Sequence, residues 1–142
     1  MNNYSDLLDI NNYKLNICVE LEPVGSPEIV VTIADNIQTD SKLNNLLKLE
    51  CQVNLLDLFS IGIELKNKTY TLEYETAVII RRISIDNINL IPKFDYLAIY
   101  ENDHNHISPT NYLGFNGKWI LTFDAPFYQW IHLHTVQGLL ID

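Results

Sequence analysis

Basic residues are scarce in this chain. Nine lysines and arginines face eighteen acidic residues, for a net charge of −9. A nucleic-acid-binding surface needs cations to replace the counterions on phosphates, so that class of partner is disfavoured. An anionic membrane surface is disfavoured for the same reason. No run approaches the roughly 20 apolar residues of a membrane span. The N-terminus, Met1-Asn2-Asn3-Tyr4-Ser5-Asp6, has neither a basic nor an apolar stretch of the kind a signal peptide uses. Five glycines and five prolines are too few for a low-complexity or collagen-like chain. Cysteine is limited to Cys18 and Cys51, in separate segments, with no Cys-x-x-Cys pair. Zinc-finger and thioredoxin-like chemistry are therefore not indicated, and two buried free thiols are expected rather than a disulfide.

The composition that remains is that of a folded domain, 47% hydrophobic and 19% charged. With 142 residues and no linker, repeat or low-complexity tract, one domain over 1–142 is expected, with 1–11 as an N-terminal arm.

Period-two patterning dominates. Tyr13, Leu15, Ile17, Val19 and Leu21 alternate with Lys14, Asn16, Cys18 and Glu20, and Pro23 and Gly25 close the strand. Ile29 to Ile33 is β-branched and reads as a strand buried on both faces. Residues 35–46 read as irregular, and 43–58 fit a short helix or an extended segment equally well. Ile61, Ile63 and Leu65, then Tyr70, Leu72 and Tyr74, read as a hairpin around Asn67-Lys68. From Ala77 to Ile85 the apolar parity changes at Arg81-Arg82, as a β-bulge would require. Asp86-Asn87 is a turn. Strands follow over 94–100, 118–123 and 127–136, with a polar loop over 101–110. About eight strands and little helix predict an all-β fold. The expected form is a two-sheet antiparallel β-sandwich or jelly roll, with an open barrel as the alternative.

The aromatic C-terminal third holds the candidate site. Seven aromatics lie between Tyr112 and Trp130. If 127–136 is a strand, Trp130, His132 and His134 share the face opposite Ile131 and Leu133. An indole and two imidazoles there, with Tyr128 beside them and Asp103 and Asn105 as polar partners, suit the flat faces and hydroxyls of a sugar. Two His-x-His pairs, His104/His106 and His132/His134, are weak candidates for a transition metal. The oxygen-rich loop around Glu101 and Asp103 suits calcium by composition alone. Gly114 and Gly117 are expected to allow positive φ in a tight connection, and the strand after them excludes a phosphate cradle. Asn67-Lys68-Thr69 matches a glycosylation acceptor. There is no Gly-x-Ser-x-Gly elbow and no His-Glu-x-x-His pair, which argues against an enzyme. A small hydrolase or metal-dependent enzyme is the third-ranked reading.

Two resemblances bear on this. Ile63-Glu64-Leu65-Lys66-Asn67-Lys68-Thr69, Ile85-Asp86-Asn87-Ile88, Tyr112 to Trp119 and Pro126 to His132 resemble segments of small uncharacterised proteins of marine tailed phages. That resemblance implies a phage setting, in the host cytoplasm or the virion, and no activity. The strand pattern is similar to jelly-roll carbohydrate-binding modules, some of which hold calcium beside the sugar. The expected function is non-catalytic glycan recognition. The alternative is a virion accessory or assembly protein, homo-oligomeric or bound to another protein through the same aromatic face.

Overall fold

The computed structural model describes residues 13–70, 74–91 and 93–141, with backbone alone for 136–141. The arm expected over 1–11 and the middle of the expected Tyr70–Tyr74 strand lie outside these residues. Eleven strands are described. In chain order they are β1 (Lys14–Val24), β2 (Glu28–Ile33), β3 (Asn36–Lys42), β4 (Leu47–Asn54), β5 (Phe59–Lys66) and β6 (Ala77–Ile85). The short strands β7 (Ile88–Asn89), β8 (Ile99–Glu101), β9 (His106–Ile107) and β10 (Tyr112–Leu113) follow, and then β11 (Gly117–Phe123). Among the described residues there is one α-helix, α1 (Phe127–Ile141), which follows β11.

The strands form two antiparallel sheets. The first has the order β10-β6-β1-β4, with β7 also on β6, and the second the order β3-β2-β5-β11-β8-β9. The expected β-sandwich is what forms, and its core is the alternating inward set of both sheets. Leu15, Ile17, Val19 and Leu21 of β1 are buried against Ile29, Val31 and Ile33 of β2 and Ile61, Ile63 and Leu65 of β5. Alternation along each strand sends the residues between them outward. That includes Val30 and Thr32, which are half-buried, so β2 buries one face and not two.

The bulge falls where the sequence places it. Glu20 pairs with Arg82, but Leu21 pairs with Ile80, leaving Arg81 as the extra residue. The extra residue exchanges the inward parity of Val78 and Ile80 for that of Ile83 and Ile85. Asp86 and Asn87 both have positive φ, as a tight two-residue turn requires.

Several expectations are corrected. Residues 36–42, expected to be irregular, form β3, an edge strand whose two faces are both largely open. A positive φ at Ala34 and Asp35 turns β2 back into it. Residues 47–54 resolve as strand β4. The two neighbours of β5 are β2 and β11, and the expected hairpin partner falls largely on 71–73, outside the described residues. Residues 95–97 form a 3-10 turn ahead of β8. Gly114 and Gly117 do not have positive φ. They serve close approach instead: a Cβ on Gly117 would sit 2.8 Å from the Glu101 carbonyl oxygen, and one on Gly114 2.8 Å from the Tyr112 ring.

The largest correction is at 127–136, a helix rather than a strand. Pro126 offers its carbonyl to the Trp130 N–H at 2.9 Å, the first helical bond. Proline suits a helix start because its missing N–H has no intrahelical partner there anyway. The inward stripe is Phe127, Trp130, Ile131 and His134, at the i, i+3, i+4, i+7 spacing of a helix face. Trp130 is 1% exposed and packs on Phe123, Phe94 and Phe127.

Cys18 and Cys51 are both free, as expected, though half-buried rather than buried. Cys18 pairs with Glu50 and Cys51 with Ile17, so the two thiols lie on opposite faces of the first sheet.

Candidate functional site

The residues expected to form one face are dispersed by the helix. Trp130 is in the core, with the His134 ring 4.6 Å away. His132 points to solvent on the other side of α1. Tyr128 donates its hydroxyl to Asp86 Oδ2 at 2.8 Å, and Tyr13 donates to the same oxygen at 2.9 Å. The Asn16 N–H donates to Asp86 Oδ1 at 2.8 Å. Partial burial opposes the Asp86 charge. The bonds from the Asn16 N–H, Tyr128 and Tyr13 outweigh it and hold the carboxyl below its ordinary value. The Tyr128 phenol is pushed up to about 12, by burial first and then by its bond to Asp86. This Tyr-Asp-Tyr cluster fastens α1 to the sandwich.

The opposite end of the sandwich is built differently. Here β5 ends at Lys66, β11 begins at Gly117 and β2 begins at Glu28. Two grooves meet at Lys66 and Asn67. The first, about 250 Å³, runs over Glu28, Lys42 and Lys68 to Thr69, Tyr74 and Thr76. The second, about 420 Å³, runs over Glu64 and Lys118 to Asn102, Asp103 and Asn116.

Hydrogen bonds hold these walls in place. Asn67, left-handed at φ 58°, donates its amide to Glu28 Oε2 at 2.7 Å. Asn116 and Lys68 bond reciprocally. The Lys68 N–H donates to Asn116 Oδ1 at 2.7 Å, and Asn116 Nδ2 donates to the Lys68 carbonyl at 3.1 Å. The Lys68 side chain is 5% exposed and spends its ammonium on Glu75 Oε1 at 2.7 Å and the Gly114 carbonyl at 2.6 Å. The Lys68 bond and charge hold the Glu75 carboxyl below its ordinary value. Beneath the loop, the buried Tyr100 stacks on Phe115 with ring centroids 4.1 Å apart. Its hydroxyl takes the Phe115 N–H at 3.1 Å and donates to the Phe115 carbonyl. Burial pushes that phenol up to about 12, so it stays a neutral donor.

Two tyrosines stand open above this frame. Tyr74, 73% exposed, lines the first groove. Tyr70 is 63% exposed, accepts the Asn116 N–H on its hydroxyl at 2.9 Å and has the Lys68 ammonium 5.2 Å from its ring centre. The grooves' lining is charge-balanced. Lys42, Lys66, Lys68 and Lys118 match Glu28, Glu64, Glu101 and Asp103, within a chain of net charge −9. A neutral ligand is therefore not disfavoured by the acidic remainder.

Of the residues singled out in the sequence, Glu101 and Asp103 line this site. Asn105 does not. It belongs to the β8–β9 loop, where its N–H and that of His104 both donate to Asn102 Oδ1 at 2.8 Å. His106 Nδ1 lies 3.0 Å from Glu101 Oε2. His104 sits on that loop and His106 opens β9 opposite Glu101, while His132 and His134 are on α1. Among the described residues no three His, Cys, Asp or Glu side chains are gathered as a metal would need.

Tyr70, Tyr74, Asn67, Lys68 and Asn116 were not singled out as binding residues; Asn67-Lys68 reads as a turn and a glycosylation match. The signal for them was two tyrosines in a segment of Asn67, Lys68, Thr69, Glu73, Glu75 and Thr76, too polar for a core strand.

No protein-family model matches the chain, and no curated protein sequence matches it. Among solved structures, that of vCBM60 in complex with galactobiose aligns over 76% of this chain and 96% of that one. The TM-score is 0.50 and the identity 10%. The sandwich is built like that of a carbohydrate-binding module. At this identity the likeness concerns the fold, and the site has to be argued from this chain's own side chains.

Proposed function

We propose that the protein is a non-catalytic glycan-binding module whose site is the pair of grooves at the loop end. The observation that carries this reading is the exposure of Tyr74 and Tyr70 above walls already fixed by Asn67, Asn102, Asn116 and Glu28. A phenol ring stacks on the apolar face of a pyranose, while amides and carboxylates take its hydroxyls. Because these polar side chains are held by one another, little ordering remains to oppose binding. The resemblance of the fold to a galactobiose-binding protein supports the reading at the level of architecture.

The test is a glycan array followed by calorimetric titration of the best ligand, with galactobiose included. Tyr74→Ala should weaken binding by about tenfold or more, the range of a buried aromatic contact. Tyr128→Ala should not change it. A blank array, or a bound glycan indifferent to both Tyr74→Ala and Tyr70→Ala, would turn the reading toward a protein partner.

A further inference from the structure

The first sheet carries a groove on its outer face that the loop-end site does not use. Its volume is about 390 Å³, within the range of small-ligand sites. The floor is a row across three strands, Ser84 on β6 opposite Cys18 on β1, and Cys18 opposite Glu50 on β4. One wall is the amide pair Asn16–Gln52, and the other is the Asp86–Asn87 turn.

Ser84 is the unusual member. It is 3% exposed, placed between the core residues Ile83 and Ile85. Its hydroxyl bonds to no described residue. No buried side-chain oxygen or nitrogen among the described residues lacks both a partner and contact with solvent. The hydroxyl therefore opens into the groove. A nearly buried hydroxyl with no protein partner is unfavourable unless the groove's contents bond to it.

The walls say what those contents are. Gln52 Nε2 donates to Asn16 Oδ1 at 2.7 Å, which leaves the Asn16 NH2 and the Gln52 carbonyl for another molecule. Asp86 has already taken three donors on its two oxygens, so it supplies charge rather than new bonds. Glu50 accepts, and Ser84 both donates and accepts. Alternating donors and acceptors match hydroxyl groups, which give and take at one atom. Glu50 and Asp86 together repel an anion.

We propose that this groove is a second saccharide-binding site, taking a neutral, hydroxyl-rich ring. It rests on its own side chains and not on the loop-end reading.

Cys18 on the floor is a reporter for this site. Cys51 lies on the other face of the sheet, and the chain has two cysteines, so Cys51→Ser leaves one thiol in the groove. In that background the measurement is the rate of Cys18 alkylation by iodoacetamide at alkaline pH, without and with D-galactose, galactobiose and cellobiose. Protection follows 1 + [L]/Kd, so at least one of these sugars should slow alkylation about tenfold at ten times its Kd. Adding Gln52→Ala, an exposed position that does not endanger the fold, should weaken protection severalfold. Ser84→Ala should do the same, with circular dichroism confirming the fold. Tyr74→Ala should leave protection intact.

Absence of protection by every neutral sugar would overturn the proposal. So would protection by galacturonate alone, which would assign an anionic ligand. Protection lost in Tyr74→Ala would also overturn it, because the effect would then be transmitted from the loop end.

Discussion

At the helix end of the sandwich, Trp130 is 1% exposed and meets Phe94 and Phe123 edge-on at 5.4 and 4.7 Å. At the loop end, Tyr74 is 73% exposed and Tyr70 63%. Both ends are aromatic, and both are bounded by the same strands. The difference is what stands beside the rings. Helix α1 brings an apolar stripe to the first end, and the rings close on one another. At the loop end the neighbours are polar: Lys68 bonds to Asn116 and Glu75, Asn67 bonds to Glu28, and the rings are left outside. Aromatic richness alone does not distinguish a core from a binding surface; the polarity of the flanking residues does.

The comparison is broken most directly at Trp130. Trp130→Ala should cost about 3–5 kcal/mol of folding stability, as aromatic-to-alanine changes in packed cores do. Urea unfolding measures this. A loss under about 1 kcal/mol would mean that the helix end is not packed as described. The same variant, where still folded, should keep the glycan affinity of the parent.

Tyr74→Ala is the complement. It should change stability by less than about 0.5 kcal/mol, as exposed positions do, while removing about tenfold or more in affinity. A large stability loss would make Tyr74 a packing residue, and the contrast between the ends would fail.

Asp86 tests how α1 is fastened. Asp86→Asn should cost about 0.5–1 kcal/mol, allowing for solvent screening of a partly exposed carboxylate. Its folded pKa is depressed. The stabilisation is thus fully present above the ordinary carboxylate value of 3.8 and lost as pH falls through the lowered folded value. Urea midpoints taken from about pH 5 downward should decline in the parent, and this part of the decline should be missing in Asp86→Asn. Identical slopes would exclude the carboxylate as the fastening.

The smallest effects belong to the histidines. His132→Ala should be neutral within about 0.5 kcal/mol, and His134→Ala slightly worse, because its ring touches Trp130. Equal losses would indicate that His132 is not on the solvent side of α1.

Most of the sandwich was legible because its strands are half-buried. Leu15 to Leu21 and Ile61 to Leu65 write the alternation directly, and the parity change at Arg81 writes the bulge. Strand β3 was not legible, since an edge strand open on both faces carries no apolar alternation. Helix α1 was misread because Trp130, His132 and His134 mimic period two over five residues. The longer stripe Phe127, Trp130, Ile131, His134, opened by Pro126, was the better guide. Of the residues lining the loop-end grooves, Glu101 and Asp103 had drawn notice by composition, as calcium candidates. The tyrosines were missed because Tyr70, Leu72 and Tyr74 alternate as a strand does, and only their polar neighbours say otherwise.

Strand β3 has one more consequence, for time rather than structure. With nearly every side chain of Asn36–Lys42 exposed, its attachment to β2 is almost entirely backbone hydrogen bonds at the rim of a sheet. Such a segment opens locally at far lower free energy than the whole molecule. In deuterated solvent its amides should exchange well ahead of those of β1, so the molecule keeps two clocks, a fast one at this rim and a slow one in the core.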